Sequence, residues 1–189
     1  MRISTTSNNI MSKFKNLISS HHNYLLKVLI YGYLAFIIVV FIPVYSGFYW
    51  VNPLLGGLTN YDISTNFSGD IEQYVYMANG NFEYVLAPYK FRYLVPFLWS
   101  LFLPILPLKY VILIWNFIFL FGSSLLADRY LTRLNFSNLY RVFGVIFVNV
   151  SFPVIQVAFT PNVDLALLFF AFLFMVGIVE KNPWMIGIA

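Results

Sequence analysis

The sequence predicts an all-α, polytopic transmembrane helical bundle, and three observations predict it. The chain of 189 residues is 60% hydrophobic and only 10% charged, where soluble domains carry about 25% charged residues. With a mean hydropathy of +0.78, the solvent for most of it is lipid. Apolar runs at about 24–45, 110–127, 142–159 and 163–179 approach or exceed the length needed to cross about 30 Å of hydrocarbon. Aromatic residues make up 21% of the chain, with 14 Tyr, and Tyr and Trp suit the interface, where one end is apolar and the other wet.

Composition also excludes. There are no cysteines, so neither a disulfide nor a thiolate metal site is available. The net charge of +4 does not gather into a nucleic-acid patch; its distribution instead sets orientation. His21 and His22 lie in the polar tail with no third ligand beside them.

Residues 1–23 form a polar, cytoplasmic tail in which MSKFKNLI reads as a short basic amphipathic turn at the surface. The first apolar run exceeds the roughly 7–15 residues of a signal h-region, and no small-x-small site closes it, so it reads as a retained anchor. Lys27, at its start, can snorkel. A long outer loop, 46–93, follows. Asn52-Pro53 and Gly56-Gly57 break its first half. In its second half Asp70 and Gln73 fit a capping box, and Asn79-Gly80 a helix stop, which predicts a short helix over Ile71–Ala78 lying along the membrane.

Residues 94–108 carry Pro96, Pro104 and Pro107 and read as an interfacial or re-entrant segment. The cationic residues agree. If 94–108 does not cross, the cytoplasmic side holds Arg2, Lys13, Lys15, Lys27, Arg129, Arg133, Arg141 and Lys181, eight in all, against Lys90, Arg92 and Lys109 outside. If it crosses, the excess disappears. The positive-inside rule selects the first arrangement, with the N-terminus cytoplasmic and the protein in the plasma (inner) membrane. A polar link with Asp128, Arg129, Arg133 and Arg141 joins the runs 110–127 and 142–159. Glu180-Lys181-Asn182-Pro183 stops the run 163–179, and 184–189 starts a further apolar run, a pattern that reads as the truncated N-terminal part of a longer product. Sequons occur at Asn66, Asn135 and Asn149, of which Asn66 alone falls in an outer loop.

Few residues can carry chemistry. Asp70 fits a helix N-cap, worth about 1 kcal/mol, and a capping carboxylate keeps one oxygen for a general base. Lys90 and Arg92 alternate with Tyr89, Phe91 and Tyr93; they read as an interfacial belt or, through the Arg fork, as a phosphate clamp. Asp164 opens the run 163–179, where the helix dipole favours an acid.

The stretches SGDIEQYVYMANG, APYKFRYLVPFL and TPNVDLALLFFAFL resemble the N-terminal part of GT-C glycosyltransferases, polytopic enzymes that take a sugar from a polyprenyl-phosphate carrier on the outer side of the membrane. The resemblance covers about half of the chain. It implies a GT-C-like bundle whose long first outer loop carries short interfacial helices, with Asp70 as the base toward the acceptor and Asp164 as a second outer acid. Arg92 and Lys90 then hold the donor phosphate, and Tyr74 is a further substrate-binding residue. The implied partners are membrane lipids and the polyprenyl-phosphate-linked sugar donor, with no nucleic acid; a divalent metal ion is left open as a cofactor. The rival expectation is a non-enzymatic polytopic protein, a transporter subunit or assembly partner, in which the acids are caps and Asn116, Asn149 and Gln156 join helices.

Overall fold

The computed structural model describes residues 23–42, 70–85, 93–151, 154–155 and 163–189, with side chains given for all but 70–72 and 109. These residues are helical or in turns; no strand occurs among them. In chain order the helices are α1 (Asn23–Phe41), α2 (Asp70–Ala78), α3 (Leu94–Ser100), α4 (Leu108–Arg133), α5 (Asn138–Val150), α6 (Asp164–Glu180) and α7 (Pro183–Ile188). Two are long and apolar enough to cross a membrane, α1 and the stretch Tyr110–Arg133 of α4, whose most apolar 18 residues have mean hydropathies of 2.2 and 2.0.

Three of the long helices meet along ridges of residues four apart, which share one face of a helix. On α1 the ridge is Lys27, Tyr31, Ala35 and Val39; on α4 it is Asn116, Leu120, Ser124 and Asp128; on α5 it is Arg141, Val145 and Asn149. Apart from Lys27, Asp128 and Arg141 at the ends, every one of these is no more than 1% exposed. Direction follows from the contacts. Tyr31 bonds Asp128, and Gly32 faces Phe121, while Ile38 and Val39 join the cluster of Val111 and Ile112. So α1 and α4 are antiparallel. Arg141 meets Asp128 and Asn149 meets Ser124, so α5 returns antiparallel to α4. Phe169 packs on Phe119, and Glu180 binds Arg129, so α6 runs parallel to α4. The bundle therefore has a basic end, with Lys27, Asp128, Arg141 and Glu180, and a far end, where α4 and α6 begin.

The contact between α4 and α6 is aromatic and close. Phe119 has ring neighbours at 5.8 Å (Phe169) and 6.4 Å (Phe170), within the 4.5–7 Å range of favourable aromatic pairs. Gly122 permits it: a Cβ there would lie 2.7 Å from the Phe169 ring. At the far end α2 and α3 pack on the bundle, placing Tyr74, Met77, Ala78, Val95 and Trp99 in one cluster with Val39, Val111, Val163 and Leu165. With 7 residues, α3 is about 10 Å long at 1.5 Å per residue. Turns through Pro104 then lead to Pro107, which caps α4.

Helix ends follow one rule. The stop predicted at Asn79-Gly80 is a Schellman motif: Gly80 has φ 81°, Gly80 N bonds Met77 O, and Asn81 N bonds Tyr76 O. The same pair of bonds closes α4 around Asn135 (φ 62°) and α6 around Lys181 (φ 53°). The polar link expected after Ala127 is thus helix as far as Arg133; its polar side chains do not end the helix, and the left-handed Asn135 does. Past Lys181, Asn182 accepts from Trp184 N and Met185 N, and Pro183 opens α7.

Two substitutions test these contacts by thermal unfolding in detergent. Gly122→Val must displace the Phe169 ring and is expected to cost about 1–3 kcal/mol, the usual penalty of overpacking. Lys181→Gly relieves a left-handed non-glycine residue and is expected to raise the melting temperature, with a gain of up to about 1 kcal/mol.

Candidate functional site

The basic end is built around one carboxylate. Asp128 Oδ1 accepts from Lys27 Nζ (3.2 Å), Tyr31 OH (3.0 Å) and Arg141 Nε (3.1 Å), and Oδ2 accepts from the Arg141 terminal amino group at 2.6 Å. Its side chain is only 13% exposed. A buried carboxylate persists when paired and hydrogen-bonded, and this one has donors from α1 and α5 while standing on α4. Asn138, at the first position of α5, adds a second junction, since its Oδ1 accepts from both Lys27 and Arg141 at 3.2 Å. Three donors converge on Oδ1 and a fourth on Oδ2, which makes Asp128 a structural tie between helices.

One turn deeper lies a neutral tie. Asn149 Nδ2 donates to Ser124 Oγ (2.9 Å) and to Val145 O (2.8 Å), and Ser124 Oγ also approaches Leu120 O (2.9 Å) and Asn149 Oδ1 (3.2 Å). These polar groups satisfy one another across α4 and α5, and a glycan on Asn149, 1% exposed, has no room.

A third tie joins α4 to α6. Glu180 follows the apolar run 163–179 and accepts from Arg129 through both its oxygens, and from Arg133 Nε at 2.7 Å. The two guanidinium groups hold its carboxyl down at about 2, against an ordinary 4.5.

Of the residues singled out by the sequence, Asp70, Tyr74 and Asp164 belong to the far end. Asp70 is the first residue of α2, with its side chain outside those described. Lys90 and Arg92 lie outside the described residues, as does the outer loop from 46 to 69. Asp164 is the first residue of α6, half-buried, in the first turn where an acid meets the helix dipole. Tyr74 is wholly buried. The structure thus joins α2 and the start of α6 through one apolar cluster, containing Tyr74 and Met77 from the first and Val163, Leu165 and Ala166 from the second. Trp99 lies in the same cluster, 0% exposed, and its indole N–H finds no acceptor among the described residues. No group of three His, Asp or Glu side chains that could hold a metal occurs among the described residues.

Sequence reasoning passed over Asp128, Tyr31 and Arg141 as a site. The signal was present: Asn116, Ser124 and Asp128 recur at multiples of four on an apolar helix, as do Arg141 and Asn149, and polar residues so spaced share one face.

Comparison with protein-family models, with curated proteins and with solved structures gives no match to this chain.

Two measurements check the ties. Arg141→Ala leaves Asp128 with Lys27 and Tyr31 alone, and is expected to destabilise by about 3–5 kcal/mol, as when a buried pair loses one partner; Lys27→Ala, which spares the two-pronged Arg141 contact, should cost clearly less. Because the Glu180 carboxyl is held below its ordinary value, its stabilisation is fully present above about pH 4.5 and is lost as pH falls toward about 2. The difference in melting temperature between wild type and Glu180→Gln is therefore expected to be constant near neutral pH and to vanish across that acid window.

Proposed function

We propose that the chain is a polytopic, GT-C-like membrane glycosyltransferase that moves a sugar from a lipid-phosphate carrier to an acceptor on the outer face of the membrane. In this reading α1, α4, α5 and α6 are the spans, and the basic end is cytoplasmic, as the positive-inside rule requires. The single observation that carries the proposal is the common location of the two helix starts. Both α2, which begins with Asp70, and α6, which begins with Asp164, feed one cluster at the end opposite the cationic ties.

The chemistry asks little of the protein. Asp70 removes the proton from the acceptor hydroxyl as that oxygen attacks the anomeric carbon and the phosphate departs. Such base assistance is worth about 10²–10⁴ in rate. Arg92 and Lys90, four and two residues after Pro88 in the aromatic stretch before α3, neutralise the departing phosphate. Asp164 is the second acid at that end. Tyr74 is buried, so it serves by seating α2 and with it Asp70.

Topology and activity are tested separately. Cysteines at Ser64 and Ser137 are expected to label from opposite sides of sealed vesicles; labelling from the same side removes the four-span arrangement. Asp70→Asn can still cap α2, since Asn and Asp cap equally well, but cannot accept a proton near neutral pH. Transfer of radiolabelled sugar from polyprenyl carriers is expected to fall by at least about a hundredfold, with melting unchanged. Activity within a few-fold of wild type removes Asp70 from the reaction and favours the non-enzymatic membrane subunit.

A further inference from the structure

We propose that the cleft between α1 and α4 at the basic end binds the phosphate of an anionic phospholipid headgroup. The inference needs the bundle to sit in a bilayer and is independent of sugar transfer. The cleft has a volume of about 600 Å³. Its rim carries Lys27, Arg129, Arg133 and Arg141. The carboxylates in contact with these cations, Asp128 and Glu180, number two, so the rim keeps an excess of positive charge. Its floor is apolar, formed by Val28, Leu125 and Leu126.

The cations are not equally engaged. Lys27 and Arg141 are committed to Asp128 and Asn138, with side chains only 13% and 16% exposed. Arg129 and Arg133 are 51% and 54% exposed. Arg133 gives Glu180 its Nε alone, so both of its terminal amino groups remain available to an anion among the described contacts. Tyr24 and Thr132 also line the cleft. A guanidinium fork offering two parallel N–H donors matches the geometry of a phosphate. Basic pockets between helices at a cytoplasmic interface are the sites where anionic headgroups lodge.

The floor argues for a lipid over a soluble phosphate. Leu125 and Leu126 from α4 and Val28 from α1 give the cleft an apolar lining beside the cations. An acyl chain can lie along this apolar surface while its phosphate meets the rim, and a free phosphate ion makes no use of it.

The test uses the full chain purified in detergent, with bound lipid counted by native mass spectrometry as phosphatidylglycerol or phosphatidylcholine is titrated. Wild type is expected to retain phosphatidylglycerol at least about tenfold more tightly than phosphatidylcholine, the scale of one charge-assisted contact. Arg133→Gln, which leaves the Arg129–Glu180 pair in place, is expected to reduce that preference at least about tenfold. Lys181→Gln, a cation at the same end that does not line the cleft, is expected to leave it unchanged. Should Arg133→Gln fail to accumulate, Arg133→Lys keeps the charge without the fork and is expected to weaken retention in the same direction. Equal retention of the two lipids, or equal behaviour of the Arg133 and Lys181 variants, overturns the proposal. Displacement of the lipid by millimolar inorganic phosphate also overturns it, because the site then belongs to a soluble anion.

Discussion

The bundle depends on the buried carboxylate of Asp128. Removing such a group from water costs several kcal/mol even after relaxation, and attraction to partners offsets this only when their geometry is good. Here the partners are Lys27 and Tyr31 from α1 and Arg141 from α5. Since each lies one helix away from Asp128, satisfying the charge sets the height of three helices relative to one another. Once that height is set, residues four apart fall opposite each other. Ser124 reaches Asn149, and Leu120 is enclosed with Val39 and Val111 further up. The apolar faces alone would accept several registers, because Leu, Phe and Val pack against one another in many ways. A charged contact with short, directed donors accepts few.

The two ends of the molecule differ in how completely their polar groups are used. At the basic end the carboxylates have two or more donors each, and Asn138 serves both cations of the Asp128 tie. At the far end the packing is apolar and aromatic, as in the tilted pairs Tyr76–Tyr84 at 5.7 Å and Phe82–Tyr93 at 5.3 Å. Trp99 there buries an indole N–H without a described acceptor, a cost of about 1–3 kcal/mol for an unmet polar group. The basic end is thus tied through charged side chains, with Arg129 and Arg133 still exposed, and the far end through apolar and aromatic packing. Asp164 and the start of α2 stand at that apolar end.

Much of the helical architecture was legible because apolar runs and left-handed stops are local signals. Gly80 and the capped Asn182-Pro183 start appear where turn chemistry places them. Asp128 was not legible as a tie, since its partners are 97 and 101 residues away in α1, and a charged residue after an apolar run reads equally well as a loop. The left-handed Asn135 and Lys181 were hidden for a different reason: neither residue type requires positive φ, and only the surrounding hydrogen bonds select it. The outer positions Lys90 and Arg92 rest on the spacing of aromatic and basic residues alone.

The separation of Lys27 from Asp128 has a consequence for biosynthesis. A chain made from its N-terminus completes α1 while its acidic partner, 101 residues later, has yet to be translated. At about 5–20 residues per second that is an interval of roughly 5–20 s. During it the ammonium of Lys27 lacks the carboxylate that holds it in the finished fold. When α4 and then α5 arrive, Asp128 and Asn138 take over the ammonium, and Arg141 closes the carboxylate from the other side. Assembly therefore includes an exchange of the surroundings of the Lys27 ammonium for protein acceptors. The full set of contacts on α1 exists only once α5 has been made, so a product that stops before α5 leaves Lys27 without its Asn138 contact.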